Sequence, residues 1–283
     1  MNSSLRPPAR LLIEPQIRAA LAEDMGRAGD ITAELIIPAG QEAQARLVAR
    51  KKGRIAGLHA AEIAFQLVDP SVQFDIVQPD GSAVEPGALL ATIKGSARAI
   101  LTGERVALNF LGHLSGVATA TSHLVDAVRH TKVRIVCTRK TLPNLRILQK
   151  YAVRCGGGFN HRFGLDDAVL IKDNHIAAAG GIAPALARVR GGLGHVVKIE
   201  IEVDTLQQLE EALSLGADTI LLDNMGLEDL RRAVAMTKTR AVLEASGNVT
   251  LESVRTIADT GVDYISSGAI THSATNLDIG LDF

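Results

Sequence analysis

Three observations predict an α/β fold, an incomplete parallel α/β barrel preceded by an N-terminal α+β sandwich domain. From Arg134 onward, short apolar β-prone runs alternate with helical segments, the pattern of a parallel sheet. Six such runs end by Ser266. A complete eight-stranded barrel usually takes about 200 residues or more, so the barrel is short. Before residue 112 the alternation is absent, and Pro/Gly turns separate brief strands. The predicted domains are 1–112 for the sandwich and 113–272 for the barrel, with the tail 273–283 returning to the sandwich.

Taken in order, Leu11–Met25 has helical spacing, with Ile17 and Leu21 on one face and Pro15 in the first turn. Gly29-Asp30-Ile31-Thr32 breaks that pattern. Ala43–Val48 reads as a strand, Gly53–Gly57 as a turn or bulge, and His59–Leu67 as a helix. Val72–Gln78 alternates like a half-buried strand, and Ala88–Ile93 is a further strand between turn signals. The stretch from Asp80 to Gly95 resembles the hairpins of biotinyl or lipoyl carriers, but it lacks a lysine at a hairpin tip, so a plain sandwich turn fits better. Ala99–Arg129 is helical despite Gly103, Gly112 and Gly116, which favour close packing at up to ~1 kcal/mol each of helix propensity. The barrel strands are Arg134–Thr138, Ala168–Ile171, Val196–Val203, Thr219–Leu222, Ala241–Leu243 and Tyr264–Ser266. Helices over Asn144–Arg154, Leu206–Leu215, Leu227–Met236 and Leu251–Thr260 alternate with them.

Composition excludes several classes. The net charge is −1 and aromatics make up 3% of 283 residues, so neither a basic field nor stacking platforms point to nucleic acid. Cys137 and Cys155 match no zinc spacing and no disulfide framework, which fits a reduced, cytoplasmic setting. No signal peptide or membrane span is evident. Cys155 has no adjacent base, and neither a nucleophile elbow, a P-loop nor a dinucleotide fingerprint occurs.

Polar groups gather where the predicted strands end: Arg139-Lys140, Lys172-Asp173-Asn174, Glu202, Asp223-Asn224, Ser246-Gly247-Asn248 and Ser267-Gly268. Barrels place their sites at that edge. Cations interspersed from Arg134 to Lys172 suggest an anionic ligand. Lys198, Glu200 and Glu202 alternate along one strand and are expected to share a face. A structural Lys–Glu pair accounts for them. So does a divalent cation held by a carboxylate of this strand and by Asp223, for which Mg²⁺ is suited. Ser246-Gly247 and Gly268-Ala269 expose backbone N–H groups that suit a phosphate, with a helix beginning near Thr250 and His272 close by in sequence. The triplet Gly156-Gly157-Gly158 permits tight turns that aim His161 and Arg162 inward.

The segments TRKT (138–141), KYAVRCGGGFNHR (150–162) and LIKDNHI (170–176) closely resemble the quinolinate phosphoribosyltransferase family. GDIT (29–32), GERVALNFLGHLSGVAT (103–119), IEVD (201–204), LLDN (221–224) and THSATNLDIGLDF (271–283) extend the resemblance over the whole chain. It implies a sandwich domain with an incomplete barrel. It also implies an enzyme of NAD biosynthesis that makes nicotinate mononucleotide from quinolinate and phosphoribosyl pyrophosphate with Mg²⁺, releasing pyrophosphate and CO₂. By resemblance, Arg105, Arg139, His161, Arg162 and Lys172 bind the quinolinate carboxylates, with Arg105 coming from the second subunit of a homodimer. Lys140 contacts phosphoribosyl pyrophosphate, and Glu202 and Asp223 hold the metal. Ser246, Gly247 and Gly268 cradle the 5′-phosphate, with His272 nearby. Asn248 and Ser267 depart from the residues common in the family. Asn tolerates left-handed backbone, so the first loop is expected to survive. The alternatives are a related phosphoribosyltransferase with another substrate and a non-catalytic binder of quinolinate or a phosphosugar.

Overall fold

The computed structural model describes residues 5–283, which form two compact units. The first contains the chain up to Ser122 together with Thr141–Gly157 and Ile270–Phe283. The second contains His123–Lys140 and Gly158–Ala269. In chain order the early elements are α1 (Arg10–Met25), α2 (Ile31–Ile36), β1 (Glu42–Ala49), β2 (Gly53–Arg54), α3 (Leu58–Val68), β3 (Gln73–Ile76), β4 (Ala83–Val84), β5 (Leu89–Ser96) and α4 (Ala97–Val128). There follow β6 (Arg134–Val136), α5 (Arg146–Cys155), β7 (Val169–Ile171), α6 (Asp173–Ala179), α7 (Ile182–Gly192), β8 (Ile199–Val203), α8 (Leu206–Ser214) and β9 (Thr219–Asp223). The chain ends with α9 (Leu227–Thr237), β10 (Val242–Ser246), α10 (Leu251–Ala258), β11 (Tyr264–Ser266), α11 (Ala269–His272) and β12 (Ile279–Asp282).

In the first unit an antiparallel sheet has the order β12-β1-β5-β3, beside a two-stranded β2-β4 pair. The tail does return: β12 pairs with β1, with Leu281 opposite Leu47. Ile13, Ile17 and Leu21, four apart on α1, form its buried stripe. Because α1 starts at Arg10, Pro15 falls in its second turn rather than the first, where proline has no N–H to offer the Leu11 carbonyl. Asp80 organises the start of α3. Its carboxylate accepts the Gly57 and Leu58 backbone N–H groups at 3.0 and 3.2 Å and the Tyr151 hydroxyl at 2.9 Å. Burial raises the Asp80 carboxyl above its usual range even though these bonds pull the other way.

Segment Thr141–Gly157, expected within the barrel portion of the chain, packs in the first unit, and hydrogen bonding explains why. Gln149 is fully buried on α5. Its amide donates to His113 Nε2 and to the Thr271 carbonyl, both at 2.8 Å, and its carbonyl accepts the Leu142 N–H at 2.9 Å. A buried amide with these partners holds α5 where they are. Cys155, at the end of the same helix, has its thiol pushed up to about 12, by burial first and by Asp80 second. That is the state of an inert core thiol.

The second unit is the incomplete α/β barrel, a six-stranded parallel sheet ordered β6-β11-β10-β9-β8-β7. β6 and β7, the strands on either side of α5 in the chain, lie at opposite ends of this order. Phe159 instead extends the β6 edge. Its N–H donates to the Ile135 carbonyl at 2.8 Å and its carbonyl accepts the Cys137 N–H at 3.1 Å. Arg134 stacks over its ring at 4.8 Å. The strands carry Ile201, Ile220, Leu222, Leu243 and Ile265 in the core. Among the described residues, no helix is long and apolar enough to cross a membrane.

Gly116 on α4 gives a test of this packing. A Cβ there would run into the Thr275 carbonyl and approach Asn276 Cα to 3.1 Å. An unobstructed Gly→Ala change inside a helix stabilises by up to ~1 kcal/mol. Gly116→Ala is expected to do the reverse, lowering urea-unfolding stability by about 1–3 kcal/mol through overpacking. Stability equal to or above wild type would contradict the close approach of the tail.

Candidate active site

Successive residues of a strand face opposite sides of a sheet. In the second unit this periodicity builds one cavity of about 560 Å³. Leu170 and Lys172 come from β7 and its end, Glu202 from β8, Leu221 and Asp223 from β9, Glu244 and Ser246 from β10, and Ser266 from β11. The register pairs Leu170 with Glu200 and places both Glu202 and Glu244 opposite Leu221. Glu202, Leu221 and Glu244 therefore lie level with one another, with Asp223 and Ser246 one step nearer the rim. Loops complete the wall with Thr138, Arg139 and Lys140 after β6, and with His161 and Arg162 beyond Phe159.

The cationic side is built from loops. Arg162 Nη1 donates to the Ala168 carbonyl at 2.9 Å. Asp167 accepts the Phe163 and Gly164 N–H groups at 2.6 and 2.9 Å and so shapes the loop that carries Arg162. Burial and then the nearby Arg139 guanidinium hold Arg162 below its usual pKa. A guanidinium burdened by a second one is the setting for an anion. Lys140 stands on a turn in which its N–H donates to Thr138 Oγ1 at 2.9 Å.

The rim carboxylates face these cations. Lys172 Nζ lies 3.2 Å from Glu202 Oε2. Burial nevertheless raises the Glu202 carboxyl, Lys172 lowers it, and Asp223 on the adjacent strand raises it again. A carboxylate whose charge is penalised by burial and by a second carboxylate at the neighbouring strand end is part of a donor set that a hard divalent cation relieves. The structural Lys–Glu pair weighed from sequence exists, but with a different lysine. Lys198 does not share the inward face. It precedes β8, is 79% exposed at its side chain, and pairs with Asp218 at 3.2 Å. The strand begins at Ile199, so the alternation does not reach back to Lys198.

The third wall is the loop after β10. Gly247 has φ +106°, and a Cβ there would overlap the Asn224 side chain. The Asn224 N–H donates to the Ser246 carbonyl at 2.9 Å and its side-chain amide to Asp223 at 2.6 Å. Asn248 adopts the left-handed conformation, φ +48°, as an asparagine can. Thr250 then caps α10 in a reciprocal box with Ser253.

Of the residues expected from sequence, Arg139, Lys140, His161, Arg162, Lys172, Glu202, Asp223, Ser246 and Gly247 line this cavity together. Gly268 follows β11 in the same unit but is not part of the lining. Arg105, exposed on α4, and His272, exposed on α11 with Nδ1 2.6 Å from Ser273 Oγ, belong to the first unit. Sequence reasoning assigned no role to Glu244. Its spacing two residues before Ser246 was the available signal. Glu244 is buried, its Oε1 has no hydrogen-bond partner, and its carboxyl is pushed up to about 7 by burial and then by Glu200. With His161 and Glu200 it forms a group whose potential ligand atoms lie within 4.8 Å of one another.

The family profile described as "Quinolinate phosphoribosyl transferase, C-terminal domain" matches residues 117–282, and that of the N-terminal domain matches residues 30–115. The chain is 46% identical over 271 residues to a nicotinate-nucleotide pyrophosphorylase (carboxylating) of Mycobacterium leprae, covering 94% of this chain and 95% of that one. It is 42% identical over 297 residues to a mitochondrial quinolinate phosphoribosyltransferase (decarboxylating) of Nicotiana tabacum, covering 98% and 84%. Among solved structures, NadC from Streptococcus pyogenes superposes with a TM-score of 0.94 at 41% identity over 98% of both chains. The nicotinate-nucleotide pyrophosphorylase of Francisella tularensis gives 0.94 at 40% over 100% and 99%.

Glu244 generates a stability prediction. Its folded pKa lies above the ordinary 4.5, so its contribution is complete below 4.5 and is lost as pH rises through about 7. Relative to Glu244→Gln, which stays neutral, wild type is expected to lose unfolding free energy across that window. Urea titrations at several pH values test this. A difference independent of pH would show that the carboxyl is not raised.

Proposed function

Because the chain belongs to the quinolinate phosphoribosyltransferase family, we propose that it transfers the phosphoribosyl group of phosphoribosyl pyrophosphate to quinolinate with decarboxylation, giving nicotinate mononucleotide, pyrophosphate and CO₂. This is a step of NAD biosynthesis. The observation that carries the reading is the composition of one cavity, in which Arg139, Arg162 and Lys172 stand with Glu202, Asp223 and the Ser246-Gly247 loop.

The two guanidiniums and Lys172 suit the adjacent carboxylates of quinolinate, since planar forks engage carboxylates bidentately. Ser246 and Gly247 offer small groups to the 5′-phosphate at the approach to α10. Glu202 and Asp223 are the residues that would hold Mg²⁺, which when bound neutralises pyrophosphate oxygens. Lys140 adds a cation to the same leaving group. As the bond to pyrophosphate breaks, positive charge develops on the ribose, and the ring nitrogen of the held quinolinate forms the new bond to the anomeric carbon. The alkylated nitrogen is then cationic. When the neighbouring carboxylate leaves as CO₂, its bonding pair stays on the ring carbon beside that cation and is captured by a proton. The protein's part is positioning and charge neutralisation, and it requires no covalent nucleophile. The same reading makes the enzyme a cytoplasmic homodimer in which a second copy supplies Arg105. By resemblance, Gly268 after β11 is assigned to the phosphate as well.

The test is an assay with quinolinate, phosphoribosyl pyrophosphate and Mg²⁺ that follows nicotinate mononucleotide and CO₂ together. Equal formation of both, abolished by chelation, is the expected result. Neither product from folded protein would point to another substrate or to a binding protein. Asp223→Asn is expected to raise the Mg²⁺ concentration needed for half-maximal rate by about tenfold or more, the scale of one lost charge-assisted contact. An unchanged metal dependence would remove Asp223 from the metal site.

A further inference from the structure

His161 lines the cavity, yet both of its ring nitrogens are engaged within the protein. Nε2 lies 2.7 Å from Glu200 Oε2, and Nδ1 accepts the backbone N–H of Arg162 at 2.8 Å. A nitrogen that accepts an N–H carries its lone pair there, so the ring proton sits on Nε2 and is donated to the Glu200 carboxylate. The imidazole is therefore neutral. Glu244, on the far side of the same nitrogen, is 3.9 Å away and outside hydrogen-bond range.

These contacts form a chain from a rigid element to a loop. Glu200 belongs to β8 and is 10% exposed at its side chain. Arg162 lies in the irregular segment between Phe159 and β7. Its backbone N–H is held by His161, its Nη1 by the Ala168 carbonyl, and its buried Nε has no protein partner. Arg162 is thus held once at its backbone and once at its guanidinium, while the guanidinium Nε is left without a protein partner.

Resting on the reading above, we infer that Glu200 is a positioning residue for dicarboxylate recognition: through the Nε2–H tautomer of His161 it fixes the Arg162 backbone and so the guanidinium that meets the substrate. The cluster of His161, Glu200 and Glu244 is compact enough for a cation. Such an ion would need the Nε2 position that the proton occupies.

The test combines ¹⁵N-histidine spectra with kinetics. The His161 signals, identified by their loss in His161→Asn, are expected to show protonated Nε2 and unprotonated Nδ1 in wild type at neutral pH. Glu200→Gln keeps an acceptor oxygen and Glu200→Leu does not. The Leu variant is expected to raise the KM for quinolinate by about tenfold or more with a much smaller change in kcat, the scale of a hydrogen bond to a charged group. The Gln variant is expected to stay near wild type in both KM and tautomer. An imidazolium or Nδ1–H form in wild type would overturn the inference even if the Leu variant does not fold. Equal KM increases in both variants would overturn it as well. Movement of the His161 signals on adding Zn²⁺ alone would assign a metal site instead. Wild-type protein that shows the Nε2–H form but does not turn over quinolinate would reject the proposed reaction, and with it the role in dicarboxylate recognition, while leaving the hydrogen-bond chain standing.

Discussion

Every charged residue on the inner face of the parallel sheet must be neutralised, and the site follows from how this is done. A carboxylate on a buried strand is costly unless it is paired, hydrogen-bonded or protonated. The second unit uses all three solutions. Glu202 pairs with Lys172, Glu200 accepts the proton of His161, and the carboxyl of Glu244 is pushed up to about 7. The result is a site whose strand carboxylates Glu200, Glu202 and Glu244 are managed within the protein. Arg139 and Arg162 show the complementary effect, since Arg162 is held below its usual pKa by burial and by its neighbour. An anion between them relieves that cost, so the cavity is prepared for a substrate bearing adjacent carboxylates.

The backbone around the rim is shaped for the same purpose. Asn224 ties the loop after β9 to the loop after β10 by accepting left-handed geometry, φ +51°, and by donating to Ser246 and Asp223. Gly247 fits against it only because it has no side chain. In the first unit the comparable device is polar and buried, with Gln149 satisfied on three sides and Asp80 accepting three donors. Such networks specify one arrangement because every alternative strands a buried polar group.

Much of this was legible in the sequence, for identifiable reasons. The alternation of apolar runs and helices from Arg134 onward is a local signal, and it located all six parallel strands. The period-two spacing that puts Lys172, Glu202, Asp223 and Ser246 at strand ends is local too. What failed depended on the third dimension. Lys198 obeys the same spacing as Glu200 but lies outside the strand, where it meets Asp218. The place of α5 rests on Gln149 reaching His113 and Thr271, residues 36 and 122 positions away. Glu244 appears in sequence as one acidic residue among apolar ones, and its burial beside Glu200 depends on strand order. The tautomer of His161 is set by a backbone N–H, which no residue pattern reveals.

The central claim is that the cavity is built for two carboxylates rather than one. The most direct measurement is calorimetric titration of the protein with quinolinate and, separately, with nicotinate, which lacks the second carboxylate. Quinolinate is expected to bind at least about a hundredfold more tightly, the scale of one lost bidentate charge-assisted contact. Equal affinities would mean that Arg139, Arg162 and Lys172 do not act together on the dicarboxylate, and would contradict the account.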